Sequence, residues 1–162
     1  MTNTYVPLAT VTLTSTDSEI IFSSIPATYR DLIVVSSFTC SSSASGLNGR
    51  FNSDTGNNYS YVRMWGENSS GFSSAATDTR NYLGDIPTLG QVMNRWQIMD
   101  YSATDKHKTS LVLHAYAPTV SYNNFTTANR WANTNAINTI TLFPTQGTFQ
   151  SGSTFSLYGI AS

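Results

Sequence analysis

Charge is the first thing this chain lacks. Eight Lys and Arg and nine Asp and Glu make up 10% of its 162 residues and leave a net charge of −1. Soluble domains usually carry roughly 25% charged residues. The two Lys and six Arg are scattered, so no basic patch exists for nucleic acid or an anionic membrane. Cys40 is the only cysteine, which rules out an intrachain disulfide and a small stapled scaffold. No apolar run approaches the ~18 residues that a membrane-crossing helix needs. The first residues, Met1-Thr2-Asn3-Thr4-Tyr5-Val6-Pro7, lack a basic region followed by an apolar core, so no signal peptide is expected. Helix signals are missing as well. Ala, Leu, Glu and Lys are sparse, and no convincing pattern of apolar residues at i, i+3, i+4 and i+7 is found.

Neutral polar residues fill the space that charge leaves. The chain has 23 Ser, 23 Thr and 14 Asn. Disordered chains can share that bias, but they are poor in aromatics. Here aromatics are 12% of the residues and are spread along the whole length. A folded, strand-rich domain with a Ser/Thr/Asn surface is expected.

Period-two patterns recur along the chain. Ala9, Val11 and Leu13 alternate with threonines, and residues 19–22 are a short apolar run. Residues 32–38 are apolar on both faces, as in a central strand. Further strands are expected at 47–51, 59–65, 96–101, 109–116, 125–131, 137–143 and 154–160. Residues 102–106 should form the hairpin turn between two of them. About eight to ten short strands with regular turn signals predict a single all-β, antiparallel sandwich of jelly-roll type over residues 8–162. Residues 1–7 are expected as a short arm. Residues 68–86 and 118–124 are expected as long loops, which in a compact β domain are usually functional.

The most informative block is 47–66. Its centre, Asn52-Ser53-Asp54-Thr55-Gly56-Asn57-Asn58, is turn chemistry, with Gly56 expected to supply a positive φ. The block reads as a hairpin or a strand-loop-strand. Tyr59, Tyr61, Arg63 and Trp65 share one face of the second strand, and Val62 and Met64 share the other.

Chemistry-bearing motifs are few. His107 and His114 could each be set beside an Asp and a Ser, but no G-x-S-x-G elbow frames any serine. Glu19 and Glu67 are the only glutamates, a thin supply for paired-carboxylate catalysis. The Asp54 loop has oxygen ligands but not the spacing of a calcium loop. Two His and one Cys, far apart, make no zinc pattern. No phosphate-binding glycine motif is present. No catalytic residue, metal or cofactor is expected. Partner contact is the remaining candidate role, carried by Tyr5, Val6, Tyr61, Trp65, Phe72 and Tyr82. Whether the aromatic stripe from 59 to 65 faces the core or a partner is open at this level.

Four segments together resemble a family of tailed-bacteriophage virion proteins, found as capsid decoration (cement) proteins and as terminal domains of tail fibres. They are Ile25-Pro26-Ala27-Thr28-Tyr29-Arg30-Asp31-Leu32; Arg50-Phe51-Asn52-Ser53-Asp54-Thr55-Gly56-Asn57-Asn58-Tyr59-Ser60; Ile98-Met99-Asp100-Tyr101 with Lys106 and Lys108; and Ala136-Ile137-Asn138-Thr139-Ile140-Thr141-Leu142 with the close Phe155-Ser156-Leu157-Tyr158-Gly159-Ile160. The resemblance implies a jelly-roll sandwich without enzymatic activity that assembles as a homo-oligomer, a trimer. It implies placement on the virion after assembly in the host cytoplasm, with the major capsid protein as partner. A fibre would carry an upstream shaft, whereas the first strand here starts almost at once, so decoration is the expected role. A receptor- or carbohydrate-binding fibre tip is the alternative.

Overall fold

The computed structural model describes residues 4–42, 45–67, 70–87, 90–116 and 123–161. Twelve strands form within them: β1 (Tyr5–Thr12), β2 (Ile20–Phe22), β3 (Asp31–Phe38), β4 (Ser45–Phe51), β5 (Tyr59–Glu67), β6 (Ser70–Asp78), β7 (Asn81–Ile86), β8 (Val92–Met99), β9 (Lys108–Tyr116), β10 (Asn123–Trp131), β11 (Ile140–Pro144) and β12 (Thr154–Ile160). They make an antiparallel β-sandwich. An eight-stranded sheet runs β1-β12-β3-β8-β9-β10-β5-β6, and a four-stranded sheet runs β2-β11-β4-β7.

The alternation of side chains decides what lies between the sheets. On β8, Val92, Asn94, Trp96 and Ile98 point inward while Met93 and Arg95 are exposed. β3 is an interior strand between β12 and β8, as its two-sided apolar pattern requires. The core holds two aromatic groups. Phe51 stacks on Trp96 at 5.0 Å and meets Trp131 edge-on at 5.5 Å. Phe38, Phe149 and Phe155 form the other, with centroids 4.8–5.8 Å apart. At roughly 25 cal/mol per Å² of buried apolar surface, these large rings are the main source of stability.

The 47–66 block is a strand-loop-strand, and it carries the chain from one sheet to the other. β4 lies in the small sheet and β5 in the large one. The positive φ values fall on Asn52 (51°) and Ser53 (57°), not on Gly56 as expected. Gly56 is needed for room instead: a Cβ there would lie 2.6 Å from Asn58 Nδ2 and 3.1 Å from Asp54 Oδ1. Asp54 is the hub of the turn. Its carboxylate accepts from Gly56 N (2.8 Å), Asn58 Nδ2 (2.9 Å) and Trp131 Nε1 (2.7 Å). Burial alone would raise this carboxyl; the hydrogen bonds outweigh it and hold its pKa below the usual value.

Two expected loops need correction. Residues 68–86 contain β6 and β7. β6, SGFSSAATD, is exposed along most of its length, so it shows no one-sided apolar alternation; pairing with β5 over nine positions makes it a strand. The expected loop 118–124 lies mostly outside the described residues, and Asn123 and Asn124 open β10. Of the expected arm, Tyr5, Val6 and Pro7 belong to β1, paired with Ile160, Gly159 and Tyr158 of β12, and residues 1–3 lie outside the described residues.

Tyr59 ties the crossing strand down. Its buried hydroxyl takes a hydrogen bond from Phe51 N (3.2 Å) and donates to Asp54 O (3.2 Å), and burial pushes its pKa up to about 12. Tyr59→Phe keeps the ring and strips these groups of their partner. It should cost about 1–3 kcal/mol, read as a lower urea midpoint at unchanged m value. An unaltered midpoint would show that the hydroxyl does not hold the crossover.

Candidate functional site

The small sheet ends at β7, while the large sheet continues past it through β5 to β6. The free edge of β7 is not left bare. Asn129 of β10 accepts from Tyr82 N (3.0 Å) and donates to Tyr82 O (3.1 Å). Asn94 of β8 donates to Leu83 O (2.9 Å), and His114 of β9 donates through Nε2 to Asp85 O (2.7 Å). Three buried polar side chains of the large sheet thus satisfy β7 backbone groups.

His114 is buried in this seam. Because Nε2 donates to a carbonyl, Nδ1 is the acceptor for Asn94 Nδ2 at 3.1 Å, which fixes the neutral tautomer. Gly84 lies against the ring at φ +133°, and a Cβ there would sit 2.4 Å from it. Burial pushes the imidazole pKa down to about 4, against the hydrogen bond and charge of Asp85. A catalytic role would need a histidine free to exchange protons with solvent or substrate, and His114 is not one. His107 is exposed and lies 2.7 Å from Arg130 Nη2. Among the described residues no three His, Cys, Asp or Glu side chains gather as metal ligands.

Beyond the seam the large sheet overhangs, and the expected contact residues divide. Tyr61, Trp65, Phe72 and Tyr82 come together on the inner face of this ledge. Arg63, to which no role was given, is the centre of the group. Its guanidinium lies 4.5 Å from the Trp65 ring centroid and 4.6 Å from that of Tyr82. It donates to Ser74 Oγ (2.7 Å) and to Tyr82 Oη (2.6 Å), and approaches Asp85 at 3.6 Å. Tyr82 in turn donates to the Asp85 carboxylate. Burial and then Asp85 raise the Tyr82 pKa well above the usual tyrosine value. Tyr61 stacks on Tyr82 at 5.2 Å. A row of rings crosses the strands next to it: Phe72 on Trp65 (5.2 Å), Trp65 on Phe125 (6.2 Å), and Phe125 edge-on to His114 (5.5 Å). Tyr59 is core; Tyr61 and Trp65 are half-buried; Phe72 is 46% exposed. Tyr5 and Val6 lie on β1, the opposite edge of the same sheet, and do not join this group.

The larger apolar surface is on the other side of the sheet. Val62 (57% exposed), Met64 (60%), Leu113 (55%), Leu111, Met93 and Val35 all face solvent. Register aligns them in rows. Gln97, Leu111, Ala128, Val62 and Ala75 are successive neighbours across β8, β9, β10, β5 and β6; Arg95, Leu113, Thr126, Met64 and Ser73 form the next row. None of the residues that alternate onto this face of those five strands is a carboxylate. The sequence held a signal for it in the alternation of Leu111 and Leu113 with Ser110 and Val112. That pattern does not reveal its direction, and the apolar pair faces outward.

No family model matches the chain, and no curated protein does. Among solved structures it is similar to the galectin LEC-6 of Caenorhabditis elegans, at 6% identity and a TM-score of 0.36, over 91% of this chain and 94% of the other. It is also similar to the alginate lyase Aly36B, at 11% identity and a TM-score of 0.34, over 93% and 77%. Likenesses this distant assign neither a ligand nor an activity.

The seam makes stability pH-dependent in a stated direction. An unfolded chain protonates His114 near pH 6.5, whereas the folded chain resists until about pH 4. The unfolded state therefore binds more protons between those values, and stability falls as the pH drops through that window. The loss at its foot is about 3 kcal/mol, checked by denaturant titrations at stepped pH with the His114 imidazole signals followed by NMR. A folded protein whose His114 charges near pH 6.5 would contradict the buried neutral ring.

Proposed function

We propose that this protein is a non-enzymatic capsid decoration protein of a tailed bacteriophage, bound to the outer surface of the shell and stabilising it. The observation that carries this reading is the carboxylate-free apolar face built on Leu111, Leu113, Val62, Met64 and Met93. Exposed apolar residues aligned in neighbouring rows suit protein contact. The scarcity of charge fits the same role, because Ser, Thr and Asn can hydrogen-bond across an interface without the cost of burying ions. His114, with both ring nitrogens held in the β7 seam, is not free to act as an acid or base. The segments around Ile25, Arg50, Ile98 and Tyr158 that resemble phage virion proteins supply the partner, the major capsid protein.

A fibre-tip reading draws on a different feature. Phe72 stacked on Trp65, beside Arg63, Tyr82 and Asp85, offers an aromatic platform with polar neighbours. A sugar ring could stack there and bond to the polar groups.

Purified protein mixed with capsids that lack it should add ordered density to the shell in cryo-electron microscopy. The double variant Leu111→Glu, Val62→Glu should fold normally, since both sites are exposed, and lose most of that occupancy. Bare shells with the unaltered protein would refute decoration. Saccharide binding that quenches tryptophan fluorescence, and that Trp65→Ala abolishes, would move the function to the ledge.

A further inference from the structure

We propose that β6 is an association edge and that its partner is β6 of a second copy, paired antiparallel about a two-fold axis at Ser74. The argument starts from how the sandwich treats its four edge strands. Edges expose unpaired backbone groups, and folds protect them with short strands, prolines, bulges, charges or covering groups. β2 has three residues. β1 carries Pro7, with a break in register between Pro7 and Ala9. β7 is capped by Asn94, His114 and Asn129. Among the described residues β6 has none of these. It runs for nine residues in unbroken register with β5, and seven of the nine are exposed. It holds no proline and no Lys or Arg, and its one charge, Asp78, is its last residue. The apolar face of the same sheet runs up to it without a screening charge.

The sequence of β6 selects its own copy as the occupant. Pairing about Ser74 sets Phe72 opposite Ala76 of the second chain on the inner face, a large side chain against a small one. On the outer face it sets Ser73 opposite Ala75 and Gly71 opposite Thr77. No like charges meet, because each Asp78 falls opposite a Ser70. Every position other than Phe72 and Asp78 is Ser, Gly, Ala or Thr, so two backbones can approach to the ~4.8 Å of a sheet. This stands apart from the capsid reading, and it differs from the trimer that the sequence resemblance implies.

Sedimentation or light scattering should give a dimer mass that falls to the monomer on dilution. The pair Ser73→Lys, Ala75→Lys puts lysine directly opposite lysine twice across the axis, where like charges destabilise pairing. Both sites are exposed, so circular dichroism should match the unaltered protein while the mass becomes monomeric. The pair Ser73→Glu, Ala75→Glu should be monomeric too, and an equimolar mixture of the two variants should recover the dimer. A monomer or trimer for the unaltered chain would overturn the proposal. So would a dimer that both charged variants retain, or charged variants that fail to pair with each other.

Discussion

The architecture depends on how the backbone edge of β7 is satisfied. The sandwich has eight strands on one side and four on the other, so the small sheet must stop where the large one goes on. A strand ending inside that overhang would bury bare carbonyls and amides, each costing about 1–3 kcal/mol. Asn94, His114 and Asn129 meet those groups from the inner face of the large sheet. They act in place of a fifth strand. That explains why two asparagines and a histidine are among the polar side chains buried on this face of the large sheet. It also explains why the β5–β6 ledge begins where it does.

The same constraint accounts for the chemistry beside it. Closing the seam takes His114 out of water and spends both ring nitrogens on fixed partners. A neutral imidazole is then part of the structure and is not available as an acid or base. Gly84 is bound to the same arrangement, since the ring occupies the space of a side chain and the backbone turns through φ +133°. On the solvent side of the seam, Asp85 and Tyr82 lean out to Arg63, so β7 also fixes one wall of the ledge.

Much of the fold was legible because alternation is a local property. β8, β9 and β12 show it plainly, β3 is legible from its two apolar faces, and the turn from Ser102 to Lys106 joins β8 to β9 as expected. β6 and β7 were missed for separate physical reasons. An edge strand wet on both faces has no amphipathic pattern, and β7 pairs with β4 through a shift of register that breaks its period of two. The grouping of Tyr61, Trp65, Phe72 and Tyr82 was readable as types but not as a cluster, because Arg63, which joins them, looks like any surface arginine in sequence. The outward turn of Leu111 and Leu113 was not readable at all. Period two gives two faces and leaves open which of them meets the other sheet.

The two surfaces left over are coupled by the sheet that carries them. Ala75 and Ser73 are the outermost members of the two apolar rows. In a two-fold β6 pair, Ala75 of one chain lies beside Ser73 of the other. The row from Leu111 through Ala128 and Val62 then runs on into Met64, Thr126 and Leu113 of the second copy. Edge pairing would thus double the length of a face that a single chain presents only in part. Arg95 lies in the row of Leu113, Arg130 lies beside Ser60, and no carboxylate of β5, β6, β8, β9 or β10 alternates onto the same face. Self-association along β6 and docking through the sheet face are therefore compatible, because one uses backbone groups in the plane of the sheet and the other uses side chains perpendicular to it.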